Sequence, residues 1–330
     1  MEEEIKSGRI KILESEEEII TELKSRSTDI SSNIVSFYNG ALKAIITNRA
    51  FMQLHLMDKL IQYSYGVFDT CHMEDNQLYN LENHLDRFFN SMEIAKIQAP
   101  LTRSKTKEIL LTLASTAKHS PLHLRFWASR GGFTGDITTP TDCPSILYAL
   151  AIKLSLPIFP PTAICVTSPL PPKPHYLAQM KTTNYLLNCL AGDYAKQSGA
   201  FPVILDQDGC VTEAHIFGLG FVLEGGVYYT PAYTAGVLRS TTNDRVICAI
   251  KQAMQKEGAV IKEIRREPFL KAHFLKHNAL EMMLLGADTV IRVTKWDDVD
   301  FSTRGLGITQ IIQQMFLQDH QNQEVLTQVP

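Results

Sequence analysis

Seven of the fifteen prolines fall between Pro157 and Pro174 of a 330-residue chain. Proline has no amide hydrogen to give to a helix or sheet interior, and its ring fixes φ. So dense a stretch reads as an extended connector over residues 156–175. It splits the chain into segments 31–155 and 176–330, each near the roughly 150 residues of an ordinary domain. Residues 1–30, opening "MEEEIKSGRIKILESEEEII", read as an acidic, partly helical extension.

The formal net charge is −3, which favours neither nucleic acid nor an anionic membrane as a partner. No apolar run approaches the roughly 20 residues of a membrane-spanning helix. An acidic start is unlike a secretory or organelle leader, so a cytoplasmic chain is expected. Cys71, Cys143, Cys165, Cys189, Cys210 and Cys248 are scattered and form no C-x-x-C pair. That predicts reduced thiols and no metal site.

The first segment reads as a small α+β domain. "FYNGALKAI" is a hairpin turning at Asn39-Gly40, and "YGVFDTCHMEDNQLYNL" is two strands around residues 74–76. Leu85, Phe88, Phe89 and Met92 recur at helical spacing, and "HLRFWASRGG" and "SILYALAIKL" are strands. The second segment is a larger α/β domain. Thr182 or Thr183 is placed to cap a helix whose apolar face is Leu186, Leu187, Leu190 and Tyr194. Hairpins follow at Asp208-Gly209 and Gly225-Gly226. A capped helix comes next, with Val246, Ile247, Ile250 and Met254 inward, then two strands through "ALEMMLLGADTVIRVTKWDD" and a last helix, "GITQIIQQMFLQ".

Four features carry chemistry. Lys181 stands where an apolar helix begins. Desolvation there would depress its pKa, as a Schiff-base lysine requires, although most lysines are solvated surface charges. Glu213 lies in a strand of mostly uncharged residues and needs a partner if buried; otherwise it is a strand-end surface group. Ser240 to Asn243 open a helix and offer free backbone N–H groups to a phosphate, although simple capping is commoner. Arg87 lies beside the apolar stripe of its helix, as a solvent-facing arginine or an anion fork. Together they make a lysine, a carboxylate for a ring nitrogen, a phosphate cradle and a phosphate arginine. That is the equipment for pyridoxal phosphate (PLP).

In chain order, "YGVFDT", "LENHLDRF", "MKTTNYLLN", "LDQDGCVTE" and "EMMLLG" resemble the fold-type IV PLP enzymes, over Phe37 to Gln314. That family includes D-amino acid and branched-chain aminotransferases and 4-amino-4-deoxychorismate lyase. The chain looks most similar to the plant-type D-amino acid aminotransferase and aminodeoxychorismate lyase branch. The resemblance implies a two-domain fold-type IV enzyme that transfers an amino group between an amino acid and a 2-oxo acid. Lys181 would carry PLP as a Schiff base and shuttle the α-proton. Glu213 would bond the pyridine nitrogen. Arg87, Thr241 and Thr242 would hold the phosphate, with Tyr185 near the phenolic oxygen. Arg130, in "ASRGG", would meet the substrate carboxylate, and a homodimer is implied.

The sequence departs from the family pattern in places. Ala214 and Gly218 replace the glycine and asparagine that usually follow the glutamate. In "LGADT", Ala287 replaces a hydroxyl and Asp288 adds a negative charge, which disfavours a nearby phosphate. The entrance "YSYGVFD" also differs from the usual "GDGVFE". Two alternatives accompany the transaminase expectation: a pyruvate-releasing lyase, and a divergent member without catalysis.

Overall fold

The hairpins in the first segment cannot bury an apolar face alone, so they join into a sheet around a helix. The computed structural model describes residues 11–132, 136–138, 140, 143–155, 158–233, 236–305 and 307–330. The strands, numbered in chain order, begin with β1 (Ile34–Asn39), β2 (Ala44–Ile46), β3 (Gly66–Glu74), β4 (Gln77–Tyr79), β5 (Leu122–Ser129) and β6 (Ile146–Lys153). They form a first sheet in the order β16-β4-β3-β5-β6-β1-β2, where β16 is Leu326–Gln328 from the far end of the chain. Helices Leu81–Ile94 and Arg103–Ala117 cover it, burying Leu85, Phe88, Leu110 and Leu113 against Phe126 and Leu124.

The second sheet contains β7 (Thr162–Thr167), β8 (Phe201–Leu205), β9 (Val211–Ala214), β10 (Gly218–Leu223), β11 (Val227–Pro231), β12 (Glu263–Glu267), β13 (Ala279–Gly286), β14 (Thr289–Trp296) and β15 (Val299–Asp300). Its order is β12-β11-β10-β13-β14-β7-β8-β9, with β15 paired to β14. Helices Thr241–Met254 and Ile308–Asp319 pack on it through Val246, Ile250, Ile312 and Phe316. The architecture is a mixed α/β fold built on two sheets. No helix among the described residues is long and apolar enough to cross a membrane.

The structure differs from the sequence reading in three places. The proline-rich stretch holds β7, which pairs with β14 and β8 inside the second sheet. Its prolines flank "TAICVT" rather than interrupt it, so the strand keeps its amides. Thr182 and Thr183 do not cap the next helix, which starts at Leu186. Their hydroxyls donate instead to the carbonyls of Gly66 and Ser64, tying the segment to β3. The apolar face of that helix is also reversed. Leu186 is 70% exposed, and Leu190 and Tyr194 are exposed as well. The buried positions are Asn188, Ala191 and Ala195, small enough for close approach to the sheet.

Candidate active site

The site begins with how Lys181 is held. Its backbone N–H donates to Ser91 Oγ at 3.0 Å, and its carbonyl accepts from the Phe68 N–H at 2.8 Å. Thr182 forms a bridge with Val67, and the Thr183 N–H donates to Gly66. A residue of the second segment is thus stitched to a strand of the first sheet, and its amine enters the space between the sheets. There Nζ lies 3.3 Å from Tyr185 Oη and 4.7 Å from the centroid of the Phe68 ring. Burial, the Arg87 cation and then Lys173 lower the amine's pKa to about 7; Asp69 and Glu213 oppose them. Burial first, then Glu213, pushes the Tyr185 phenol up.

The amine opens into a cavity of about 340 Å³ that Phe68, Arg87, Tyr185, Glu213, Thr241, Thr242 and Asp288 also line. A larger groove of about 680 Å³ runs along residues 167–175 on the other side of Glu213; Lys181 does not line it. The site is therefore the smaller cavity, where the titratable groups converge. Glu213, on β9, is half-buried. Its Oε1 lies 3.3 Å from Lys173 Nζ, and its Oε2 accepts from the Leu238 N–H at 3.3 Å. Lys173 is the partner that the sequence demanded without naming.

At the opposite end, Thr241 and Thr242 are the first residues of helix Thr241–Met254, and Ser240 Oγ caps Asn243 N–H. The first N–H groups of a helix have no carbonyl partner within it, so they remain available to an anion. Arg87 is buried rather than solvent-facing. Its Nε and Nη2 donate to the two oxygens of Asp69 at 2.8 and 2.7 Å, and Nη1 donates to the Arg239 carbonyl at 3.0 Å. Burial would raise the Asp69 pKa, but Arg87 and His84 overcome it and hold the carboxyl well below the usual range. His84 Nδ1 lies 2.9 Å from Asp69, and its Nε2 lies 3.9 Å from Asp288. Ala287 and Asp288 both have positive φ, forming the two-residue turn between β13 and β14. That turn delivers the Asp288 carboxylate to the cavity wall.

The sequence reading missed several lining residues. Phe68, Thr70 and His72 alternate along β3, and His123 and Arg125 along β5, with Thr70 opposite Arg125 and His72 opposite His123. The available signal is a period-two row of polar residues on two paired strands. Arg125 donates from Nε to Thr70 Oγ1 at 3.3 Å. Burial and His72 lower the His123 pKa to about 4. Arg130, by contrast, does not line the cavity. Its Nη1 and Nη2 donate to the carbonyls of Cys143 and Pro140 at 2.9 and 3.1 Å.

Comparison with known proteins decides the family. The Amino-transferase class IV profile matches residues 66–296. The chain belongs to the class IV aminotransferase family. It is 33% identical over 271 residues to a D-amino-acid transaminase, chloroplastic, of Arabidopsis thaliana, covering 80% of this chain and 70% of that protein. It is 28% identical over 282 residues to a putative branched-chain-amino-acid aminotransferase of Methanocaldococcus jannaschii, covering 80% and 90%. Among solved structures, the fold matches a branched-chain aminotransferase of Thermoproteus uzoniensis with norvaline (TM-score 0.79, 18% identity, 90% of this chain and 100% of that one). It also matches the branched-chain amino acid aminotransferase of Thermobaculum terrenum in its PLP form (TM-score 0.75, 18% identity, 91% and 100%). This class IV aminotransferase is a transaminase by family, and class IV aminotransferases use PLP.

The cavity suits that group at three points. It offers a depressed-pKa amine, a carboxylate paired with a lysine, and an open helix N-terminus facing the same space. One point works against it: the buried Asp288, whose Oδ1 has no hydrogen-bond partner.

Proposed function

We propose that this chain transfers an amino group between an amino acid and a 2-oxo acid with PLP held on Lys181. The observation that carries this reading is the Lys181 amine, which titrates near 7 in the same cavity as Glu213 and the start of helix Thr241–Met254. PLP, when bound, supplies the electron sink for bond cleavage at the substrate's α-carbon. Lys181 bonds the cofactor and moves the α-proton, a task suited to a base poised near neutral pH. Tyr185 Oη orients the Lys181 amine. Glu213 presents a carboxylate to the ring nitrogen. The N–H groups of Thr241 and Thr242 take the phosphate, with Arg87 and its Asp69 partner behind them. Arg125, on the facing strand, replaces Arg130 as the fork for the substrate carboxylate.

Donor and acceptor use one site in turn, so the kinetics are ping-pong. The test adds PLP to purified protein and records a visible absorption band. A panel of D- and L-amino acids with several 2-oxo acids follows. A band absent from Lys181→Ala, with amino transfer in wild type, supports the reading. A colourless wild-type protein that ignores PLP overturns it. Pyruvate release from aminodeoxychorismate without an acceptor would assign the lyase instead.

The exposed Leu186, Leu190 and Tyr194, with exposed Ile216 nearby on the cavity rim, support a homodimer that covers this face. Light scattering should give twice the chain mass, and Leu186→Lys should lower it. We place the enzyme in the cytoplasm on its scattered cysteines, none of which forms a disulfide. A fluorescent fusion confined to an organelle would refute that placement.

A further inference from the structure

Lys173 is the one charged group in the proline-rich stretch that the proposed reaction leaves without a role. It is 7% exposed, and Pro172 and Pro174 flank it, so the backbone that carries it has little freedom. Its Nζ lies 3.3 Å from Glu213 Oε1 and 5.0 Å from the centroid of the Tyr185 ring. The pairing is by charge: Nζ makes no aligned hydrogen bond. Lys173 lines the larger groove and Glu213 the smaller cavity, so the ion pair forms part of the wall between them. A buried ammonium is tolerated only when paired, and removing one partner leaves the other charge uncompensated.

The same arrangement brings a second cation near Lys181. The two ammonium groups lie 5.0 and 5.6 Å from one ring centroid, that of Tyr185. We propose that Lys173 is a positioning residue: it holds the Glu213 carboxylate in place, aimed into the cavity, and its charge acts on the Lys181 amine. The second half concerns the protein without cofactor. The first half rests on the role proposed for Glu213.

The charged and titratable groups facing Lys181 are Arg87 from helix Leu81–Ile94, Asp69 from β3, Tyr185 from its own segment, Glu213 from β9, and Lys173. Arg87 and Lys173 drive the proton off, while Asp69 and Glu213 retain it. Loss of the Lys173 charge removes a repulsion and leaves the Glu213 anion unshared. Both changes raise the proton affinity of Lys181. Two like charges within about 10 Å at a partly buried site shift each other's titration by about one pH unit.

The test uses cofactor-free protein. Lys181 acetylation by dilute acetic anhydride, which reacts with the neutral amine, is followed by mass spectrometry across pH. The midpoint should rise by about one unit in Lys173→Met and stay near wild type in Lys173→Arg. An unchanged midpoint in folded Lys173→Met overturns the proposal, whatever happens to the melting temperature. If Lys173→Met does not fold, the neutral pair Lys173→Met/Glu213→Gln is compared with Glu213→Gln alone. The double variant must have the higher midpoint, and equal midpoints overturn the proposal. Neither readout needs PLP, so failure of the transaminase reading would show separately, as a missing visible band.

Discussion

The two ends of the cavity solve the same problem, a buried charge, in different ways. At the Lys181 end the solution is to lose the charge: burial and two neighbouring cations bring the amine to a pKa of about 7. At the Thr241 end the charges stay and are paired. Arg87 is clasped by Asp69, which also holds His84, and His84 faces Asp288. The first end is reactive because its group can be neutral. At the second each charge depends on the next, and an anion there would meet mainly helix N–H groups.

The largest test of this contrast is Lys181→Ala. Transamination should fall by about 10²–10⁴-fold, the usual worth of a positioned acid–base group. The loss is read from keto-acid formation, while the circular dichroism stays unchanged. Next is Asp69→Asn at the paired end. It leaves Arg87 and His84 buried without their counter-charge, so urea denaturation should show a loss of about 3–5 kcal/mol. A loss below about 1 kcal/mol would mean that the pairing is not structural.

Lys181→Met separates the two ends by pH. The folded pKa of Lys181 lies near 7 and its ordinary value is 10.5, so the unfolded chain binds the extra proton between those pH values. Wild-type stability therefore rises with pH across that window. The methionine variant should be more stable by on the order of 4 kcal/mol near pH 7, with the gain vanishing towards pH 10.5. A pH-independent difference would contradict the assignment. Asp288→Asn should tighten PLP binding by roughly threefold to tenfold in an absorbance titration, because a like charge leaves the anion end. Weaker binding would show that Asp288 helps hold the site. Smallest is Ser240→Ala, which removes the cap on Asn243 and should cost about 1 kcal/mol in thermal denaturation.

Short-range signals carry much of the fold. The Asp208-Gly209 and Gly225-Gly226 turns join the strands assigned to them, and the helix over Leu85, Phe88 and Met92 buries those residues. The first hairpin forms as expected but turns over residues 40–43, with Asn39 still paired to Ala44 in the ladder. Ser240 caps the helix that Val246 and Ile250 anchor. The misreadings concern what lies across space. Helix Leu186–Lys196 turns Asn188 inward because its side-chain amide donates to the His215 carbonyl at 2.6 Å, a partner 27 positions away. Arg125 and His123 gain meaning only from their register with Thr70 and His72. The burial of Arg87 is hidden in the sequence because nothing nearby marks Asp69 as its partner.

Strand β16 has a consequence for how the molecule is made. Leu326–Gln328 pair with β4 at the edge of the first sheet, although the whole second sheet lies between them in the chain. Domains usually fold as units during synthesis, the N-terminal one first. Here a ribosome must finish the second sheet before the first has its last strand. Until then the β4 edge is unpaired and open to other chains, so the nascent protein passes through an interval of exposure that the finished fold no longer shows.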